Sequence, residues 1–473
     1  MIGNKKTLSN IVKVSVSNVL KLLAGVLVGV LLPKIIGVTD YGYYKTFTLY
    51  ASYAGLFHFG FADGIYLKFG GKNYDELNKE DFRYYTRFYI LMEIVVSAIV
   101  MLIAVIFMKS EYRFIFICEA IYLLAMNVTN LYQLISQITN RFTELSLRNI
   151  INSGLTIISL ILLLVFQKWN LWEANYRIYT VMYVLIIVVL TLWYIRTYQD
   201  ITFGKKSKLR IEEMGLFFRL GFPLMLSALC SSLILTIDRQ FVSALFDIDT
   251  YSVYAFAYSM LNLVTVAISA VSTVLYPTLK RADEKSLSSS YPVLIGLIQC
   301  LVCGCIAAYF PLCVFVKHFL PQYVESLSYF RIIFPGIALS SSISLVMHNY
   351  YKTLGWTVEF FKKCVIILLI SAAANGIAYW QFKTPAAISV ASIITLIIWY
   401  FVVQHDLIMK YKPKWVKNFI YIGCMMGLFY GITSIENMWI GFIFYIIAYC
   451  GITIVLYKNV IYNYVKQFIR NGK

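Results

Sequence analysis

Charge is what this chain has least of. Only 14% of its 473 residues are charged, against 60% that are apolar. A soluble domain carries about 25% charged and 45–50% apolar residues, so a water-exposed fold would leave large greasy patches outside. Long polar loops are missing too, which leaves no room for an extramembrane catalytic domain. No Gly-x-x-x-x-Gly-Lys-Ser/Thr loop occurs, so a phosphate-cradling ATP motor is excluded. Acids are the scarcer sign, 23 against 41 bases, for a formal charge of +18. Nucleic-acid binding would need those bases clustered on one polar surface, but they sit in short segments between apolar runs. No histidine or carboxylate accompanies Cys300, Cys303, Cys305 and Cys313 in LIGLIQCLVCGCIAAYF. A zinc site needs four good ligands, so these cysteines read as helix packing, and no metal or other cofactor is expected. MIGNKKTLSN lacks a cleavage site, and the apolar run after it exceeds the 7–15 residues of a signal core.

What the chain has is apolar length. A spanning helix needs about 20 mainly apolar residues. That rule predicts an all-α polytopic membrane protein with fourteen spans, near 11–34, 42–65, 87–108, 113–137, 149–167, 176–195, 216–244, 250–276, 291–316, 328–350, 364–381, 385–404, 416–434 and 438–457. The runs are too long for barrel strands.

Orientation follows from the bases. With the N-terminus inside, 29 of the 41 Lys and Arg fall in inner segments and tails. The outer loops hold only Lys34, Lys109, Arg113, Lys168, Arg177, Lys317 and Lys383. That bias is the positive-inside pattern, and an even number of spans puts both termini in the cytoplasm.

The longest basic loop, RTYQDITFGKKSKLRIEEMG, separates two groups of six spans. The expected division is 1–200 and 201–410 for two six-helix lobes, then 411–473 for two further helices and a basic tail. The halves look related: Tyr41 and Tyr44 align with Tyr251 and Tyr254 at a constant offset of 210 residues, with Gly42 opposite Ser252. Parallel repeats of this kind occur in transporters whose substrate site lies between the halves.

The opening NVLKLLAGVLVGVLLPKIIGVTDYGYYKTFTLYASYAGLFHFGFADGI resembles that of polysaccharide (Wzx-type) flippases, in Gly37, the Tyr41-Gly42 turn and the Gly60/Gly64 pair. Asp238-Arg239 in LTIDRQFVSALF resembles the family's recurring Asp-Arg near the end of the seventh helix. Ser252 departs from the pattern, which more often has glycine there. The resemblance implies a member of the multidrug/oligosaccharidyl-lipid/polysaccharide exporter superfamily, with two six-helix lobes around a cavity that opens alternately to each side. It also implies an undecaprenyl-diphosphate-linked oligosaccharide as substrate and the bacterial cytoplasmic membrane as location. Implied partners are the bilayer and the polymerase and glycosyltransferases of polysaccharide assembly.

Such a task moves a diphosphate and a glycan through about 30 Å of hydrocarbon. The head needs a hydrated, cationic path, and a charge inside a span is a functional hypothesis by default. Five bases remain within spans: Lys21, Lys45, Arg219, Arg239 and Arg331. Lys21 lies mid-span, too deep for easy snorkelling, and Asn18 shares its helix face. This face either lines the cavity and meets the diphosphate, or Lys21 pairs internally with Glu93 or Glu119. Lys45, Arg239, Asp238 and Arg219 are further candidates for substrate contact. A structural role is open for the Asp238-Arg239 pair, and snorkelling for Arg219 and Arg331. Glu93 and Glu119 are candidates for binding a coupling proton or sodium ion, or for balancing cavity charge. Ser227 and Ser231 share a face with Asp238, and His348 reads as interfacial. The membrane potential is a third possible driving force. A cation–drug exporter of the same superfamily is the nearest alternative, though it favours acidic lining. A polytopic enzyme of polysaccharide assembly is more distant.

Overall fold

The computed structural model describes residues 5–471, apart from 170–171, 209–210, 281–282 and 413–414. All its regular elements are helical among those residues. The chain folds into two compact units, Met1–Ser232 with Phe246–Ser252, and Leu233–Leu245 with Val253–Lys473.

The first unit begins with α1 (Lys5–Ala51), which carries two expected spans in one run. The join is Gly37, at φ 81° and ψ −179°, a backbone conformation open to glycine and costly for other residues. A second break follows: a 3₁₀ turn over Ala54–His58, then left-handed Phe59 and Gly60, then α2 (Phe61–Phe69). After these come α3 (Lys79–Phe107), α4 (Ser110–Ile138), α5 (Phe142–Lys168), α6 (Tyr176–Thr197) and α7 (Ile211–Ile234). Asn78 and Asn175 cap α3 and α6 by accepting N–H bonds from the first turn, the usual remedy for orphan donors. Helix α7 lies flush against α2, because a methyl group on Gly64 would meet the Phe217 carbonyl oxygen at 2.0 Å. Around this seam Phe61, Phe82, Tyr85, Tyr132, Tyr194, Tyr198 and Phe217 form an aromatic core.

The second unit contains α8 (Ile237–Leu245) and most of α9 (Ile248–Lys280). It continues through α10 (Glu284–Ile306), α11 (Tyr309–Phe319), α12 (Ser326–Ile333), α13 (Ile337–Ser341) and α14 (His348–Thr353). A π-helical turn over Ser342–Met347 joins α13 to α14. Then follow α15 (Thr357–Phe382), α16 (Pro385–Tyr411), α17 (Trp415–Ile432) and α18 (Met438–Asn471). Helix α18 is fastened to α10 by hydroxyls: Tyr445 donates to the Cys303 carbonyl at 2.8 Å and Tyr449 to that of Cys300 at 3.0 Å.

Each of the fourteen expected segments falls mainly on helix, although 42–65, 216–244 and 291–316 are each broken by short non-helical stretches. Among the described residues, eleven helices are long and apolar enough to cross a membrane, and Val16–His58 counts once although it spans two expected segments. Val416–Ile432 is shorter. Outward faces carry large apolar side chains along their length, such as Leu91, Leu102, Leu192, Leu369 and Ile447. Exposed apolar surface on that scale needs lipid against it. The chain is a multi-pass membrane protein.

Candidate functional site

The intramembrane charges divide by what surrounds them. Lys21 is exposed on α1, with no ion pair or hydrogen bond to its ammonium among the described residues. Helix α1 lies along α5, and Lys13 donates to Thr143 there at 3.1 Å. Ser17 and Ala24 are buried, whereas Val16, Val19, Leu23 and Leu27 are exposed. At about 100° per residue, this apolar face is roughly 120–160° around the helix from Lys21, while Asn18 and Gly25 lie within about 60° of it. The lysine therefore emerges on a side of α1 distinct from its greasy one. It makes no pair with Glu93 or Glu119.

Lys45 lies with its ammonium 5.1 Å from the Tyr41 ring centroid, a cation–π contact. Arg219 is exposed on α7 and makes no ion pair among the described residues. Arg331 is committed to structure: it donates to the Thr433 hydroxyl at 2.9 Å, the Tyr430 carbonyl at 3.0 Å and the Ser434 hydroxyl at 2.9 Å. These groups end α17, where unpaired carbonyls welcome a cation. His348 stacks on Phe360 at 4.4 Å.

Asp238 and Arg239 do not form an ion pair with each other. Asp238 is buried and accepts from the Arg239 backbone N–H at 2.8 Å, from the Tyr254 hydroxyl at 2.8 Å, and from the Tyr258 hydroxyl. The Arg239 guanidinium lies 4.4 Å over the Tyr258 ring and donates to the Leu235 carbonyl at 2.9 Å. That carbonyl is freed by the break between α7 and α8. Ser389 of α16 donates to Tyr254 at 3.3 Å, so the carboxylate ties α8 to α9 and, through Tyr254, to α16. Ser231 closes on its own helix, donating to the Ser227 carbonyl at 3.0 Å.

Glu93 and Glu119, the two acids expected within spans of the first unit, are both buried. Glu93 accepts the Asn127 amide N–H at 2.8 Å through Oε2, and its Oε1 has no partner. The same Asn127 nitrogen donates to the Ala54 carbonyl at 3.0 Å. Glu119 likewise keeps Oε2 buried and unpartnered.

Two buried polar groups escaped the sequence reading. Asn127 is one, because a tie across α3 and α4 leaves no mark on sequence spacing. Arg148 is the other. It lies just before the expected span 149–167, yet α5 begins at Phe142, seven residues before that span, and Arg148 is buried on it. It pairs with Glu144 at 2.7 Å and lies 4.1 Å over the Tyr194 ring. The polar run TELSLRN hid those first two turns.

The arrangement is a polytopic helical fold, and the same fold occurs in solved structures. The fold matches a structure described as the lipid II flippase MurJ in an inward closed conformation, at TM-score 0.73 and 14% identity over 96% of this chain and 100% of that one. It matches an inward-facing multidrug resistance MATE transporter of the MOP superfamily at TM-score 0.61 and 14% identity, over 86% of this chain and 99% of that one. No curated protein matches by sequence. The family described as "Polysaccharide biosynthesis protein" matches residues 7–283, more than half of the chain. The chain belongs to that polysaccharide biosynthesis family.

Proposed function

We propose that this protein is a flippase that carries an undecaprenyl-diphosphate-linked oligosaccharide from the inner to the outer leaflet of a bacterial cytoplasmic membrane. Lys21 carries the reading. It is a mid-span ammonium without a carboxylate partner, turned away from the apolar face of its helix. A charge held in a span at such cost is retained for a counter-ion that comes and goes, and a diphosphate is one. Asn18 is placed to assist on the same face, and Arg219 is the other exposed cation among the five bases expected within spans. Lys45, Asp238 and Arg239 stand as candidates whose contacts within the fold would have to be exchanged for substrate. The inner bias of Lys and Arg supports cytoplasmic termini. Polymerase and glycosyltransferases of the same assembly line would be its working partners, and it performs no bond-making chemistry of its own.

The test is complementation. In cells lacking the native gene, wild-type protein should restore surface polysaccharide, and Lys21→Ala at equal membrane abundance should not. Full polysaccharide with Lys21→Ala would remove Lys21 from the mechanism. Drug resistance in place of polysaccharide would favour a cation–drug exporter, the reading suggested by the fold shared with the MATE transporter.

A further inference from the structure

A buried, half-satisfied acid of the first unit is tied to a break in its helical backbone. Over residues 52–60 the second span abandons α-helical bonding. Tyr53, Leu56 and Phe59 donate to the carbonyls of Tyr50, Tyr53 and Leu56, three residues back in each case. Phe59 and Gly60 then take left-handed conformations, φ 49° and 80°. The Ala54 carbonyl has a side-chain donor, Asn127 of α4, at 3.0 Å. That amide nitrogen also serves Glu93, at 2.8 Å. One side chain therefore joins a break in a spanning helix to an acid in the middle of another.

Glu93 is fully buried, at 0% exposure, and its Oε1 meets no donor. The titratable groups on the elements packed around it are Tyr89 on α3, Glu119 on α4, and His58 and Asp63 at the break and on α2. No lysine or arginine pairs with it among the described residues. His58 is occupied as acceptor of the Gly60 N–H at 3.0 Å, with Asp63 3.9 Å from its other nitrogen. The Tyr89 hydroxyl donates to the Asn127 carbonyl at 3.2 Å and also faces the Glu93 carboxylate. A buried carboxylate with a bare oxygen and no counter-charge is costly. A proton on Oε1 removes that cost without disturbing the bond at Oε2.

We propose that Glu93 is a reversible proton-binding site whose state sets how firmly Asn127 pins the break at 52–60. The step is simple: a proton from water adds to Oε1, the carboxylate becomes a neutral acid, and no other bond breaks. With Glu93 ionised, the Asn127–Glu93 bond is charge-assisted and strong, and Asn127 is held in place against Ala54. With Glu93 neutral, the bond weakens to an ordinary one and the break loosens. That this loosening serves substrate movement rests on the flippase reading; the proton site itself does not.

The experiment uses full-length protein in lipid nanodiscs across a pH series. Infrared spectroscopy should show a carboxylic-acid carbonyl band that bleaches as pH rises, is lost in Glu93→Gln, and moves in frequency in Asn127→Ala. Over the same series, hydrogen exchange of residues 50–60 should change several-fold in wild type and stay flat in Glu93→Gln. Lys21→Ala, which probes transport, should leave both signals intact. A band unaffected by Glu93→Gln, or exchange at 50–60 that follows pH equally in that variant, overturns the proposal. Should Glu93→Gln fail to fold, Glu93→Asp keeps the acid but shortens its reach. Its band should remain and no longer respond to Asn127→Ala, whereas a band that still responds overturns the proposal.

Discussion

Gly42 and Ser252, which share an offset of 210 residues in the two halves, lie in direct contact. A methyl group on Gly42 would come within 3.1 Å of the Ser252 Cβ and 2.6 Å of the Ile248 carbonyl oxygen. Thr39 and Asp249, at the same offset, share a hydrogen bond of 2.6 Å. The Ser252 hydroxyl also donates to the Val38 carbonyl at 2.6 Å. Backbone meets backbone here with only glycine between. Gly42→Val should therefore destabilise the protein by about 1–3 kcal/mol through overpacking. Gly42→Ala should cost less but remain measurable. Thermal unfolding in detergent gives the comparison, and an unchanged midpoint for Gly42→Val would refute the contact.

Lys21 should be replaceable by charge rather than by shape. Lys21→Arg is expected to keep a substantial part of polysaccharide export and Lys21→Glu to abolish it, at equal membrane abundance. Quantifying surface polysaccharide by sugar staining settles the order. Equal activity of the arginine and glutamate variants would show that charge is irrelevant at this position.

Asp238 holds three donors, so its loss strands them. Removing one partner from a buried polar group costs about 1–3 kcal/mol, and Asp238→Ala should lower stability by at least that much. Tyr258→Phe in the Asp238→Ala background should then cost less than Tyr258→Phe alone. A double-mutant cycle on unfolding midpoints reads the coupling. Strict additivity would mean that the two side chains act independently.

Asp247 lies outside the spans and caps α9, accepting the Thr250 N–H at 2.9 Å and its hydroxyl at 2.8 Å. Those bonds favour its ionised form and hold its pKa below the usual 3.8. A depressed carboxylate contributes its stability above the unfolded value and loses it as pH falls through the folded one. The cap is therefore complete above about pH 4 and is lost below that. Because the site is exposed, the effect sits at the low end for caps, about 0.5 kcal/mol. Asp247→Asn should flatten this acid limb of the stability profile, and a limb of undiminished height would assign it to other groups.

The spans were legible because bilayer thickness imposes a length of apolar run that few other structures share. Their irregular ends were not. The break at Gly37 leaves the apolar pattern intact, so a 47-residue helix with one non-helical residue looks like two spans and a turn. The start of α5 was hidden for the opposite reason: its first two turns are largely polar. Among the charges, sequence identified Lys21, Glu93 and Glu119 as intramembrane but could not assign neighbours. Arg331 finds Thr433 and Ser434 about a hundred positions away, and Glu93 finds Asn127 on the next helix. Pairings like these are fixed by the packing of helices, which spacing along one helix does not encode.

The tyrosine fastenings between helices carry an evolutionary consequence. Tyr445 and Tyr449 grip main-chain oxygens of α10, as Tyr350 does at Leu287 and Tyr430 at Ile332. Every amino acid presents the same main-chain oxygen, so the gripped helix is free to change its side chains provided its path is kept. Only the tyrosine is constrained, and it can migrate by a turn and still find an oxygen. A membrane fold stitched in this way can drift far in sequence while its architecture persists.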